Sequence, residues 1–330
     1  MRVRKFLVIA YRELRVLEME VLKIKIKNRT EISEDPTRIS INQFYGIEIE
    51  EFPARIAEVA MHLIDHQMNL ELGKMLGRYI RKLPIKISAT IKCADALSFD
   101  WNELIPQKEL SFILGNPPFS GARLMSKTQK EGLLKAFDDM KGASNLDFVT
   151  AWYAKAAKYI QDTKIKVGFV STNSISQGEQ VGLLWKYLKD LNIVIHFAHQ
   201  TFKWSNDASG IAAVYCVIIG FGAFDIERKY LYEYGDIKGE DREREVRHIN
   251  PYLVESEDVL IDSRTTPICD VPEIVFGSMP NDGGNFLFTE EEKERFLQEE
   301  PNAEKYMKEL ISAREYLNGE KRYCLWLKGI

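Results

Sequence analysis

The sequence predicts an α/β fold built on a doubly wound sheet, followed by a second, irregular domain. Two observations predict the first part. Short apolar segments alternate with segments of helical period from residue 44 to residue 220, and residues able to do chemistry stand immediately after several of the apolar segments. A shift in composition after Gly222 predicts the second part. Strands alternating with helices imply a parallel sheet with right-handed crossovers. Ligands of such sheets sit at the carboxyl ends of the strands.

Residues 5–24 form the first element. Phe6, Ile9, Ala10, Leu14, Leu17 and Val21 recur at helical period and predict the inner face of a helix. Lys23, Lys25, Lys27 and Arg29 then alternate with Ile24 and Ile26, which reads as a solvated helix end. A polar loop follows over 31–40, with Pro36 in it. A strand over 44–49 leads into a helix over 52–72, whose expected inner face is Ile56, Val59, Ala60, Leu63 and Ile64. Strands follow over 85–91 and 110–115, then a helix over 147–160. A strand over 166–171, a helix over 180–191 and strands over 193–198 and 212–220 complete the pattern. Residues 225–247 are highly charged, with Tyr230, Tyr232 and Tyr234 in alternation. From Asn250 onward prolines recur without any βα repeat. The expected domains are therefore 1–224 and 225–330.

Composition narrows the function. The chain has 330 residues, 45 Lys+Arg against 49 Asp+Glu, and a net charge of -4. A wholly basic surface for nucleic acid is excluded, whereas a local basic groove is not. Cys93, Cys216, Cys269 and Cys324 are scattered without metal spacing. They read as reduced thiols, so a cytoplasmic location is expected. No apolar run reaches the ~18 residues needed to span a bilayer. The start, Met1 to Ala10, is too short and lacks a cleavage site for a secretory signal. His62 and His66 share a helix face with Asp65, but no third ligand is in view, and a solvated face explains them. Asp282 with Glu291, Glu292 and Lys293 mimics a nuclease arrangement. Thr289 and Glu292 instead form a capping box at a helix start. No metal is expected.

The sharpest signal is Asn116-Pro117-Pro118-Phe119 at the end of an apolar strand. Two prolines in series cannot extend a sheet and hold a rigid extended turn. The turn fixes the Asn116 amide oxygen and the Pro117 carbonyl, two acceptors for one exocyclic NH₂ group. Phe119 offers a flat face beside them. Such a site suits an amino group on a planar ring, whose delocalised lone pair makes it a poor nucleophile. Two acceptors pulling on its protons would localise that pair, and Phe119 would stack on an extruded base.

These residues resemble the amino-methyltransferase motif of adenine-specific DNA methyltransferases. Gly46-Ile47-Glu48-Ile49-Glu50 resembles the strand whose acid binds the ribose hydroxyls of S-adenosylmethionine. Asp95-Ala96-Leu97 resembles the segment that contacts the adenine of that cofactor. Residues 168–174, and Gln200 to Trp204 followed by 212–220, match the later strands in order. The strings 44–55 and 169–179 are similar to one subgroup, the MmeI-like restriction–modification methyltransferases. Phe276 to Pro280 and Tyr323 to Trp326 resemble that subgroup's target-recognition region.

The resemblance implies a Rossmann-like class I S-adenosylmethionine-dependent methyltransferase core with a partial target-recognition domain, and double-stranded DNA as partner. It implies methyl transfer to adenine N6. Asn116, Pro117, Pro118 and Phe119 would be catalytic, Glu48, Ile49, Asp95 and Ala96 would bind cofactor, and Phe202 and Trp204 would form the other wall of the base pocket. Core packing is an equal account of Trp204. The resemblance also departs from the family. The first strand, its Gly-rich loop and the nuclease domain of the subgroup are expected to be missing from this stretch, and the target-recognition region is expected to stop early. Weak cofactor binding is the corresponding expectation. Two rivals stay open. One is a catalytically inactive DNA-binding fragment, and the other is a protein glutamine methyltransferase, which also uses an Asn-Pro-Pro turn. Cytosine-N4 transfer more often uses Ser in place of Asn.

Overall fold

The computed structural model describes residues 2–29, 33, 36–79, 88–204, 214–235, 239–261, 264, 266–272 and 282–327. The chain divides into two compact units, Met1–Ser263 and Arg264–Ile330.

In the first unit the elements run α1 (Arg2–Lys27), β1 (Tyr45–Glu48), α2 (Glu51–Leu76), β2 (Thr90–Cys93), β3 (Phe112–Gly115) and α3 (Lys127–Ala136). They continue with α4 (Thr150–Tyr159), β4 (Lys166–Thr172), α5 (Gln180–Asp190), β5 (Val194–Trp204), β6 (Val214–Gly222), β7 (Lys229–Tyr234) and β8 (Asp241–Val246). β1 and β2 form a parallel pair of their own. The other six strands form one sheet in the order β3-β4-β6-β5-β7-β8. Among the described residues β1 pairs only with β2, and β3 only with β4. On β3, Phe112 is 57% and Leu114 53% exposed.

The sheet is mixed. β3 with β4 and β5 with β7 are parallel, whereas β6 runs antiparallel to both β4 and β5. Residues 205–213 alone separate β5 from β6, fewer than the dozen or more that a parallel crossover requires. The chain has to return antiparallel. Where β6 meets β5, the Phe197 ring lies across Gly220, and a Cβ there would come within 2.0 Å of the ring. The sheet runs past residue 224 through β7 and β8, so the boundary expected at 224/225 falls inside it. The charge-rich composition of 225–247 belongs to an edge ribbon whose β8 residues are mostly exposed. The predicted strand over 85–91 lies partly outside the described residues, and pairing begins at Thr90.

Helix ends follow local chemistry. α2 stops at Gly77, which holds φ 64° in the left-handed region that glycine tolerates best. α3, absent from the sequence reading, opens on a reciprocal capping box. Ser126 Oγ accepts from the Gln129 N–H at 3.2 Å, and Gln129 Oε1 accepts from the Ser126 N–H at 2.9 Å.

The faces of α1 and α2 differ from expectation. α1 buries Tyr11, Arg15, Met19 and Leu22, while Leu17 is 60% exposed and Ile9, Leu14 and Val21 are also exposed. α2 buries Ala57, Met61, Ile64, Met68 and Leu72, and leaves Val59 and Leu63 exposed. The reason is a polar hub between the helices. Arg15 is fully buried. Its guanidinium donates to Tyr11 Oη at 3.1 Å and to Asn69 Oδ1 at 3.0 Å, and lies 3.8 Å from Asp65 Oδ1 and 3.2 Å from Glu18 Oε2. Tyr11 in turn donates to Asp65 at 2.5 Å. A buried charge is tolerated when it is paired and hydrogen-bonded, so this hub, rather than the most apolar stripe, sets which face turns inward. Asp65, seen earlier beside two histidines, belongs to the hub. Among the described residues no helix is long and apolar enough to cross a membrane.

The second unit contains β9 (Leu287–Phe288), α6 (Glu290–Glu299), β10 (Met307–Glu309), α7 (Ala313–Asn318) and β11 (Tyr323–Leu325). β11 pairs antiparallel with both β10 and β9. Thr289 and Glu292 form the expected capping box, with the Glu292 carboxylate accepting from the Thr289 N–H at 2.8 Å. Tyr323 to Leu325 form the central strand of this small sheet, and the Trp326 N–H donates to the Tyr306 carbonyl at 2.8 Å. Phe276 to Pro280 lie outside the described residues.

Candidate active site

Asn116 stands one residue beyond the end of β3. The strand ends on Gly115, where a Cβ would come within 3.1 Å of the Phe169 ring on β4. The small residue lets the end of β3 lie close against a buried aromatic floor. That floor is Phe169, Tyr153 and Phe221, whose ring centroids lie 5.3–5.9 Å apart. Burial pushes the Tyr153 hydroxyl far above the usual tyrosine range, and it shares a 2.7 Å hydrogen bond with Ser171 Oγ.

Above this floor Pro117 is buried and Phe119 is half-buried, packed in part against the core. Asn116 Oδ1 is buried, and among the described residues no hydrogen-bond donor reaches it. Buried polar atoms are overwhelmingly paired, so an acceptor held unpaired at a strand end is suited to a donor brought by a ligand.

Glu48 ends β1 and Asp95 lies just past β2. The structure brings the two acids together, because β1 and β2 are parallel and the Ala94 N–H donates to the Glu48 carbonyl at 2.9 Å. Glu48 is half-buried and its carboxylate accepts from the Ile49 N–H at 3.0 Å, while the Ile49 side chain is exposed. Asp95 is exposed and closes a tight turn, its carboxylate accepting from the Leu97 N–H at 3.0 Å. That turn is held from below by residues the sequence reading passed over. Trp101 Nε1 donates to the Ala96 carbonyl at 2.9 Å, and Lys155 Nζ donates to the carbonyls of Leu97 at 2.7 Å and Phe99 at 2.5 Å. Burial pulls the Lys155 ammonium below the usual lysine range.

Phe202 and Trp204 lie at the far end of β5, with ring centroids 6.1 Å apart. The Tyr234 ring is 5.5 Å from Phe202, and His199 stacks on Tyr232 at 4.1 Å. His199 Nδ1 hydrogen-bonds Tyr234 Oη at 2.8 Å, and burial holds its imidazole below the ordinary histidine range. The alternation of Tyr230, Tyr232 and Tyr234 was the sequence signal for this aromatic group. In each case the candidate residues follow, or lie near, the carboxyl end of a strand. The arrangement offers an unpaired acceptor on a rigid turn, two acids at adjacent strand ends and an aromatic cluster.

A family model described as the MmeI DNA-methyltransferase domain matches residues 4–233, and one described as the MmeI target recognition domain matches residues 255–330. A DNA methyltransferase A of Bacillus subtilis (strain 168) is 40% identical over 326 residues, 98% of this chain and 36% of that protein. A solved structure of the Type IIL restriction-modification enzyme MmeI in complex with DNA is 50% identical, with a TM-score of 0.88 over 98% of this chain and 44% of the other. The chain thus spans less than half the length of either relative.

Proposed function

Because the chain belongs to the MmeI DNA-methyltransferase family, we propose that it carries the transfer site of an enzyme that methylates adenine N6 in double-stranded DNA, as part of a restriction–modification system. The observation that carries this reading is the buried, unpaired Oδ1 of Asn116 on its Pro-Pro turn. Oδ1 and the Pro117 carbonyl accept from the two protons of an amino group and turn its lone pair outward. Phe119 on one side, with Phe202 and Trp204 on the other, would hold an extruded base flat, as enzymes acting on a base require.

The residues present fit the adenosine part of S-adenosylmethionine. Two carboxylates at adjacent strand ends are acceptors for hydroxyl and amino donors. Glu48, next to Ile49, would take the ribose, and Asp95, next to Ala96, the adenine. When bound, the cofactor supplies an electrophilic methyl group on sulfur. The protein's own work is to position and desolvate. Its rigid turn holds the amine in a fixed line of attack, and such alignment lowers the barrier substantially.

The test is methylation of a duplex with labelled cofactor, followed by digestion to nucleosides. The expected product is N6-methyladenosine in its deoxy form. Asn116→Ala should lower the rate by ~10²–10³-fold, the scale of losing one positioned hydrogen-bonding group, and leave DNA affinity nearly unchanged, because phosphate contacts dominate it. Label on cytosine, label on a protein glutamine instead of DNA, or an unimpaired Ala variant would each sink the reading.

A further inference from the structure

Three segments of the first unit meet at one side chain, Asp147. Its Oδ1 accepts from the Ala122 N–H at 3.2 Å, three residues beyond Phe119, and its Oδ2 accepts from Ser174 Oγ at 2.5 Å. Its own N–H donates to Gln180 Oε1 at 2.9 Å, and the Phe148 N–H donates to the Ser120 carbonyl at 2.9 Å. The loop carrying Asn116 to Phe119 is therefore caught at residues 120 and 122 as it leaves the turn.

Ser174 lies in the helical turn that follows β4, Asn173–Ser176, and shares a 2.8 Å hydrogen bond with Thr172 Oγ1. The same segment reaches the other way. Gln177 Nε2 donates to Thr201 Oγ1 at 3.3 Å, one residue before Phe202. A continuous path thus joins the Phe119 side to the Phe202 side through Asp147 and the segment after β4. Capping of α4 does not account for the carboxylate. That helix has no side-chain cap, and Thr150 bonds the Asp147 backbone carbonyl instead. Both carboxylate oxygens go to the two loops.

We propose that Asp147 is a positioning residue that clamps the transfer turn to the segment after β4 and so sets the spacing between the Phe119 and Phe202 walls. The catalytic half of this proposal rests on the methyl-transfer reading above; the clamp itself does not.

The test has two arms on the full chain. The first is amide hydrogen exchange, which needs no substrate. Asp147→Ala should speed exchange over residues 119–122 and 173–177 and leave the interiors of α4 and β4 unchanged. Asp147→Asn, which keeps the shape and can accept from Ala122 while donating to Ser174, should restore most of the protection. Ser174→Ala should loosen residues 173–177 and, less strongly, 119–122. If Asp147→Ala does not fold, the Asn and Ser174 variants decide the matter. The second arm is steady-state methyl transfer. Asp147→Ala should lower kcat by on the order of 10²-fold, the usual effect of a small misplacement, with KM for DNA unchanged and with rescue by Asn. Unchanged exchange over 119–122, exchange that rises equally throughout α4 and β4, or an Asn variant as impaired as Ala would overturn the clamp. A parent chain that transfers no methyl group counts against the proposed function, and the exchange arm still decides the clamp.

Discussion

The first unit contains two regions packed by different means, and each carries a different part of the proposed site. Under the Asn116 turn the six-stranded sheet is backed by a large apolar core, with Phe169, Tyr153, Phe221 and Trp185 almost wholly buried. Beside β1 and β2, α1 and α2 pack on a smaller core that contains the Arg15–Asp65 hub. The Asn116 turn, proposed to carry the transfer, stands on dense apolar packing. The acids assigned to the cofactor stand on a short strand pair next to a buried ionic joint. Apolar packing tolerates swaps that keep its volume, whereas a buried ion pair fails sharply when one partner is lost.

The largest expected effect lies at that joint. Arg15→Ala leaves Asp65 and Glu18 without their counter-ion and should destabilise the α1–α2 region by about 3–5 kcal/mol, the usual result of removing one partner of a buried pair. Chemical denaturation followed by hydrogen exchange would locate the loss. Arg15→Met together with Asp65→Leu and Glu18→Gln, which leaves no uncompensated charge, should recover part of it. If Arg15→Ala proves as stable as the parent, the two regions do not differ in the way described.

Phe119→Ala probes the other region. It should weaken capture of an extruded base by roughly 1–3 kcal/mol, the scale of base–aromatic stacking, while Phe119→Tyr stays nearly neutral. Fluorescence of 2-aminopurine at the target position reads this directly. The same rise with the Ala variant would make Phe119 a packing residue only.

The smallest effect is a pH dependence centred on β5, an interior strand of the sheet. Burial holds His196 and His199 below the ordinary value of 6.5. The unfolded chain therefore binds protons that the folded one resists, and stability falls as pH drops below about 6.5. Melting temperature measured from pH 7.5 to 5.5 should fall, and His199→Gln should flatten part of that slope. An identical slope in the variant would show that His199 does not contribute.

This contrast also explains what the sequence could show. The strand-end positions of Asn116 to Phe119, Glu48 and Asp95 were legible because each stands at or just past the end of a strand whose apolar run is local. The inward faces of α1 and α2 were not. A stripe of Leu and Ile outranks Tyr11 and Arg15 on any hydrophobic scale, and the Asn69 amide, 54 residues from Arg15 in the chain, and the Asp65 carboxylate that join Glu18 around Arg15 come from the partner helix. Asp147 was visible as the start of a predicted helix, but its partners Ala122 and Ser174 lie in separate loops. Such hydrogen bonds have no sequence period. β8 escaped because an edge strand carries charge on its open side, which reads as loop composition, and β7 was lost in the same charged stretch.

The flank of β3 that no described strand covers has a consequence for how this 330-residue chain, taken by itself, behaves at high concentration. Phe112 and Leu114 project beside a row of backbone donors and acceptors that no described strand engages. Such a flank is a template for any extended peptide, including the same flank on a neighbouring molecule. Light scattering at rising protein concentration should therefore be sensitive to a Lys placed at Leu114, a change far too small to alter the core yet sufficient to make two such flanks repel.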